Sequence, residues 1–173
     1  MPDLSPKAVT LRHILIVCTG NICRSPMAEG LLKSMWPRNL NPQPVIYSAG
    51  THAMEGLPAE PYAIRAVSAY GVDIRVHHSR ALVPALMKKA DLILAMEQQH
   101  VDFIRNAAGG RAGNVGLLGG FNAAGTPVEI PDPYGGSADT YRKCALMIRV
   151  CLERLIVHLG GITSVKKMPG TMP

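Results

Sequence analysis

Two cysteines, an arginine, a serine and an asparagine crowd into the stretch Cys18-Thr-Gly-Asn-Ile-Cys-Arg-Ser-Pro26, directly after the apolar run Ile14 to Val17. A loop that feeds a helix presents several backbone N–H groups with no intrahelical partner, and the helix dipole adds partial positive charge there, so the stretch is built to hold an anion. Gly20 and Asn21 are residue types that tolerate left-handed backbone, which lets successive amides turn inward around a tetrahedral oxyanion. Arg24 adds a planar fork that pairs with two phosphate oxygens. The same amides and the same guanidinium favour the thiolate of Cys18, the nucleophilic form of the side chain. Thr19, Gly20, Asn21, Ile22, Cys23, Arg24 and Ser25 thus read as a phosphate cradle, with Cys18 at its floor in line to attack phosphorus. That chemistry calls for neither a metal nor a cofactor.

The elements that must position this loop follow from the alternation of apolar runs and helical patterns. His13 to Val17 reads as a strand buried on both faces. Ser25 can cap a helix with Pro26 at its first position, carrying Ala28, Leu31, Leu32 and Met35 at helical spacing. Pro44 to Gly50 is a second strand, Glu60 to Gly71 a helix stopped by glycine, Ala90 to Met96 a third strand, and Glu97 to Gly110 a helix ended by its glycine pair. Asn114 to Gly120 is a weaker fourth strand. Gly119 to Ser137, rich in Gly, Pro and Asn, is a long loop, and long loops in compact domains tend to be functional. In the last helix Tyr141, Cys144, Ala145, Ile148, Cys151, Leu152, Leu155, Ile156 and Leu159 form one apolar face. The expected fold is a three-layer α/β/α arrangement with a mostly parallel four-stranded sheet, the phosphate-binding loop lying between the first strand and the first helix, where such folds bind ligands.

With 173 residues, 47% of them hydrophobic, the chain has material for one core. A single domain over residues 13–160 is expected, flanked by flexible ends at 1–12 and 161–173. No apolar run approaches the ~20 residues of a membrane span and no signal-like segment is apparent, so a cytoplasmic protein with no membrane insertion is expected. Its four cysteines are then thiols rather than disulfide partners. The net charge of +6 suits an anionic ligand or a nucleic acid, but the basic residues are scattered, which fits a solvated surface and argues against nucleic acid as a partner.

Taken together, Val17 to Leu32, Tyr47 to Thr51, Ala90 to Glu97 and Ile130 to Gly136 resemble the low-molecular-weight protein tyrosine phosphatase family, over roughly residues 13 to 159. The resemblance implies a phosphocysteine on Cys18, phosphate binding by Arg24, and Asp132 as the general acid and then base. It implies a serine at Ser25 that stabilises the thiolate, an asparagine at Asn21 that braces the loop, and support for that network from Ser48. Tyr134 would wall the cleft, although Gly135 stands where some members carry a second tyrosine. His52, Met54 and Glu55 are expected at the cleft entrance, and His77 and His78 are read as structural or surface residues. Cys23 is implied as a reversible disulfide partner of Cys18, with a small buried side chain as the plainer reading. The motifs are most similar to bacterial members acting with tyrosine-autophosphorylating kinases in capsule or exopolysaccharide production. The implied partner is such a phosphotyrosine protein, with inorganic phosphate as product, and the enzyme a monomer or weak homo-oligomer.

Three other readings remain. Arsenate reductases of the same fold relay oxidation through further cysteines, but residues 92–106 contain none. Cys144 and Cys151 are seven residues apart on one helix, a rise of ~10.5 Å that no disulfide bridges, so they read as core. Protein arginine phosphatases resemble the loop closely but typically carry threonine in place of Ile22, whose apolar surface suits a phenyl ring better than a guanidinium. A phosphoprotein or nucleic-acid binding module without chemistry is disfavoured by the intact set of Cys18, Arg24 and Asp132.

Overall fold

The computed structural model describes residues 11–39, 43–109, 114–122, 124 and 126–159. In chain order these form β1 (His13–Cys18), α1 (Arg24–Met35), β2 (Val45–Gly50), α2 (Pro61–Ser68), α3 (Pro84–Lys89), β3 (Leu92–Ala95), α4 (Gln98–Ala107), β4 (Asn114–Leu117), a 3-10 turn (Leu118–Phe121) and α5 (Ala138–His158). The sheet order is β2-β1-β3-β4, and all three pairings are parallel.

Alternation along the strands decides the layers. Ile14, Ile16 and Cys18 of β1 and Leu92 and Leu94 of β3 face a core shared with α1, α2 and α5, whereas Leu15, Val17, Ile93 and Ala95 face a second core with Met87 of α3 and Val101 and Ile104 of α4. Burial on both faces is why these strands read as unbroken apolar runs. The register pairs Cys18 with Gly50, and Val17 with Ala95, so three strands end side by side and deliver their following loops to one rim.

Several boundaries differ from the sequence expectations. Helix α1 starts at Arg24 with Cys23 as N-cap and no side-chain cap, so Ser25 is not the capping residue. Pro26 is tolerated in the first turn because N–H groups there have no intrahelical acceptor to lose. Helix α3, opened by Pro84, went unread because its six residues are too short to show a period. Helix α5 starts three residues before Tyr141, at Ala138, with Ser137 Oγ accepting from Thr140 N–H, and its buried face contains Cys144 and Cys151 as expected. The 3-10 turn shortens the expected loop, which begins after Phe121. Leu11 is buried in the core, and Arg12 and His13 N–H both donate to Asp91. The rest of the expected ends, residues 1–10 and 160–173, lies outside the described residues. Among the described residues no helix is long and apolar enough to cross a membrane.

Candidate active site

Cys18, the last residue of β1, has its sulfur at the floor of a cleft walled by Ile22, Asp132 and Tyr134. Ser25 Oγ lies 3.0 Å and Asn21 N–H 3.3 Å from that sulfur. Ser25 Oγ accepts from Asn21 Nδ2 at 2.8 Å, which leaves its own hydroxyl hydrogen for Cys18. Two donors therefore converge on the sulfur, which accepts from both.

Asn21 is the pivot of the loop. It is fully buried and, unlike Gly20, has a left-handed backbone, φ 55°, so the freedom attributed to both positions is used at one. Each of its polar atoms is engaged. Nδ2 donates to Ser25 and Ser48, Oδ1 accepts from Arg80 N–H, and the carbonyl accepts from His77 Nε2 at 2.7 Å. Ser48 in turn donates to Glu29 at 2.5 Å. The backbone of Gly50 is pressed against the same loop: a Cβ there would lie 2.4 Å from the Thr19 carbonyl and 2.9 Å from Asn21 N.

Arg24 is 1% exposed and almost wholly committed. Nη1 donates to Glu97 at 2.6 Å and to the Ile130 carbonyl, and Nη2 to Asp132 at 2.5 Å and, longer, to Thr19 Oγ1 at 3.5 Å. Nε is buried with no partner among the described residues. Burial alone would raise the Glu97 pKa, but the hydrogen bond and charge of Arg24 outweigh it and hold the carboxyl below its ordinary value. The Asp132 loop is fastened by Ile130 N–H to the Met96 carbonyl and by Gln98 N–H to Glu129. Glu97 and His100 close a capping box at the start of α4, and His100 reaches Thr19.

Sequence reasoning missed Glu97, His100 and Glu29. Glu97 and His100 do not have the Ser/Thr and Glu/Gln residue types of the usual capping box, and nothing local indicates that the cap faces the arginine. His77 braces Asn21 from 56 residues away, in the structural role expected of it. His52 and Met54 are exposed on the turn after β2. His52 packs against Phe103, the Met54 carbonyl accepts from Ser79, and Glu55 accepts from Ala81 N–H. Gly135 sits at φ 76° in the turn closed by Gly136 N–H and the Pro133 carbonyl, a backbone that disfavours a tyrosine. Tyr134 stands 66% exposed as the aromatic side of the cleft. All four cysteines are free and buried. Burial pushes the Cys23 thiol up to about 12, against the hydrogen bond it shares with Tyr141, so Cys23 stays neutral beside Cys18. No group of three or more His, Cys, Asp or Glu among the described residues is arranged to hold a metal ion.

A family model described as low molecular weight phosphotyrosine protein phosphatase matches residues 13–168. A low molecular weight protein-tyrosine-phosphatase, Ptp of Acinetobacter johnsonii, is 36% identical over 151 residues, 86% of this chain and 98% of that protein. A protein-arginine-phosphatase of Bacillus subtilis is 37% identical over 149 residues, 84% of this chain and 95% of that one. Among solved structures, the Erwinia amylovora tyrosine phosphatase amsI superposes with a TM-score of 0.79 at 31% identity, covering 88% of this chain and 96% of that one.

Two expectations follow from this geometry. Gly50→Ala forces the loop carrying Thr19 and Asn21 to shift, and a displacement of that order costs about 10²-fold in turnover; steady-state kinetics with an intact circular-dichroism spectrum checks it, and unchanged turnover contradicts it. Burial lowers the pKa values of both His77 and His100 from 6.5, outweighing the carboxylates around them. Both are neutral in the fold, so on acidification the unfolded chain takes up protons that the folded chain refuses. Stability is full above about pH 6.5 and is lost as pH falls toward the lowered folded values. The thermal midpoint drops as pH falls from about 6.5 toward the lowered folded values, and His77→Gln flattens that dependence.

Proposed function

The chain belongs to the low molecular weight phosphotyrosine protein phosphatase family, and on that premise we propose that it hydrolyses phosphotyrosine through a phosphocysteine on Cys18. The observation that carries the reading is the convergence of Ser25 and Asn21 N–H on the Cys18 sulfur, with Arg24 and Asp132 meeting in the same cleft.

The loop amides and Arg24 hold the phosphoryl oxygens so that phosphorus sits above the sulfur. Arg24 Nε, buried with no partner among the described residues, is a further donor for the phosphoryl group in this proposal. A phosphoryl oxygen taking Nη2 displaces Asp132 from it, and Asp132, whose side chain is 42% exposed, turns to the leaving oxygen. The Cys18 thiolate attacks, the S–P bond forms, the P–O bond to the phenolate breaks, and Asp132 delivers its proton to the departing oxygen. Water then attacks phosphorus, Asp132 takes up its proton, and the thiolate leaves as inorganic phosphate is released. The loop amides from Thr19 to Ser25 bind phosphate, and Ser48 acts on them through Asn21. Ile22 and Tyr134 flank the phenyl ring. Cys23, neutral and adjacent, serves as the disulfide partner that shelters Cys18 from irreversible oxidation.

The proposed enzyme is a cytoplasmic monomer or weak homo-oligomer, and its Ala90–Glu97 and Ile130–Gly136 motifs are similar to those of bacterial members acting with tyrosine-autophosphorylating kinases. Its substrate is then a tyrosine-autophosphorylating kinase of exopolysaccharide production. The likeness to a protein-arginine-phosphatase makes phosphoarginine the competing substrate, and the apolar Ile22 favours the phenyl ring over it.

Matched phosphotyrosine, phosphoserine and phosphoarginine peptides, assayed with chelator, test the proposal. Phosphotyrosine alone is turned over, Cys18→Ser abolishes release, and Asp132→Asn slows it by about 10²–10⁴-fold. Ile22→Thr moves the preference toward phosphoarginine. Faster release from phosphoarginine by the wild type overturns the tyrosine assignment, and no release from any peptide revives a binding module.

A further inference from the structure

Thr19 and His100, 81 residues apart, make a polar contact that the mechanism above leaves unused. His100 is 1% exposed and both its ring nitrogens are engaged. Glu97 N–H donates to Nδ1 at 3.1 Å, and a backbone amide can only donate, so Nδ1 carries no proton and the neutral ring holds its hydrogen on Nε2. The Glu97 carboxylate, 3.7 Å from Nε2, accepts only and favours the same tautomer. Nε2–H therefore donates to Thr19 Oγ1 at 2.9 Å. Arg24 Nη2 approaches that oxygen at 3.5 Å, also as a donor. With both lone pairs of Oγ1 facing donors, the Thr19 hydroxyl can act only as a donor itself. No acceptor among the described residues receives it, and Thr19 lines the cleft above Cys18.

We propose that His100 is a positioning residue that fixes the Thr19 hydroxyl as an extra side-chain donor to the phosphoryl group held over Cys18. The inference rests on the phosphatase reading and adds a contact to it. One helical turn then orients both side-chain donors of the cradle, since Glu97 sets the angle of Arg24 and His100 sets the polarity of Thr19. A hydrogen bond to a charged oxygen in a buried site is among the stronger ones, and its loss is worth about tenfold in affinity.

The test measures vanadate inhibition, kcat and KM on p-nitrophenyl phosphate, and thermal midpoint for the wild type, Cys18→Ser, Thr19→Val, Thr19→Ser, His100→Ala, His100→Gln and the double variant Thr19→Val/His100→Ala. Thr19→Val weakens vanadate binding about tenfold, and Thr19→Ser recovers most of it. His100→Ala weakens vanadate binding in the same direction. His100→Gln, which keeps an N–H donor at similar reach, recovers part of that loss. The double variant binds vanadate no worse than Thr19→Val, because His100 acts through Thr19. A Cys18-dependent enzyme in which Thr19→Val binds vanadate as the wild type does, or in which the two losses add, overturns the inference alone. Turnover that survives Cys18→Ser overturns the phosphatase reading beneath it.

Discussion

A guanidinium cannot be taken out of water without compensation, and Arg24 is buried to 1% exposure. Its partners are drawn from three separate parts of the chain. Glu97 follows β3, Ile130 and Asp132 belong to the loop before α5, and Thr19 follows β1. Satisfying this one charge brings the ends of two strands and the Asp132 loop to a single point. Removing Glu97 or Asp132 would take one charged partner from a buried guanidinium that keeps the other, so the site and the fold share the same support.

Asn21 imposes the second constraint. A left-handed backbone at a residue with a side chain carries strain, which is retained where the surroundings over-determine it. Here Ser25, Ser48, Arg80 N–H and His77 supply that determination, and Gly50 lets β2 come close enough to participate. The consequence for Cys18 is electrostatic. Asn21 N–H is turned toward the sulfur, and Asn21 Nδ2, by donating to Ser25, commits the serine hydroxyl to the same sulfur. The polarity of each hydrogen bond is thus set by the one behind it, and the chain of donors ends at the candidate nucleophile.

Contrast among the thiols follows from the same architecture. Cys144 and Cys151 lie on the buried face of α5, and burial pushes their thiols up to about 12 and about 11. Cys23 behaves likewise, with its sulfur against the Tyr141 hydroxyl. Only Cys18, at the open end of β1, is met by two donors that lead back into a braced network. Chemistry is separated from packing by where a strand happens to end.

The residues themselves carried the succession of strands and helices along the chain, the two-sided burial of the sheet, the apolar face of α5 and the composition of the loop from Cys18 to Pro26, because each of these is a local pattern of period, length or residue type. They also carried the pairing of a cysteine and an arginine in one anion cradle, since seven residues of chain cannot separate them far. What local pattern could not decide was which distant groups complete the site. Ser25 suits both a helix cap and, by the resemblance, a partner for Cys18, and only the second role is used, since the helix begins two residues earlier and Cys23 takes the cap. Gly20 looked as likely a left-handed position as Asn21, and only side-chain bonds to Ser48 and Arg80 select the asparagine. Glu97, His100 and Glu29 became part of the site through the parallel register that aligns the ends of β1, β2 and β3. Sequence determined which chemistry the loop is equipped for. Tertiary structure decided which charges and donors face it, because those come from segments whose proximity exists only once the sheet has closed.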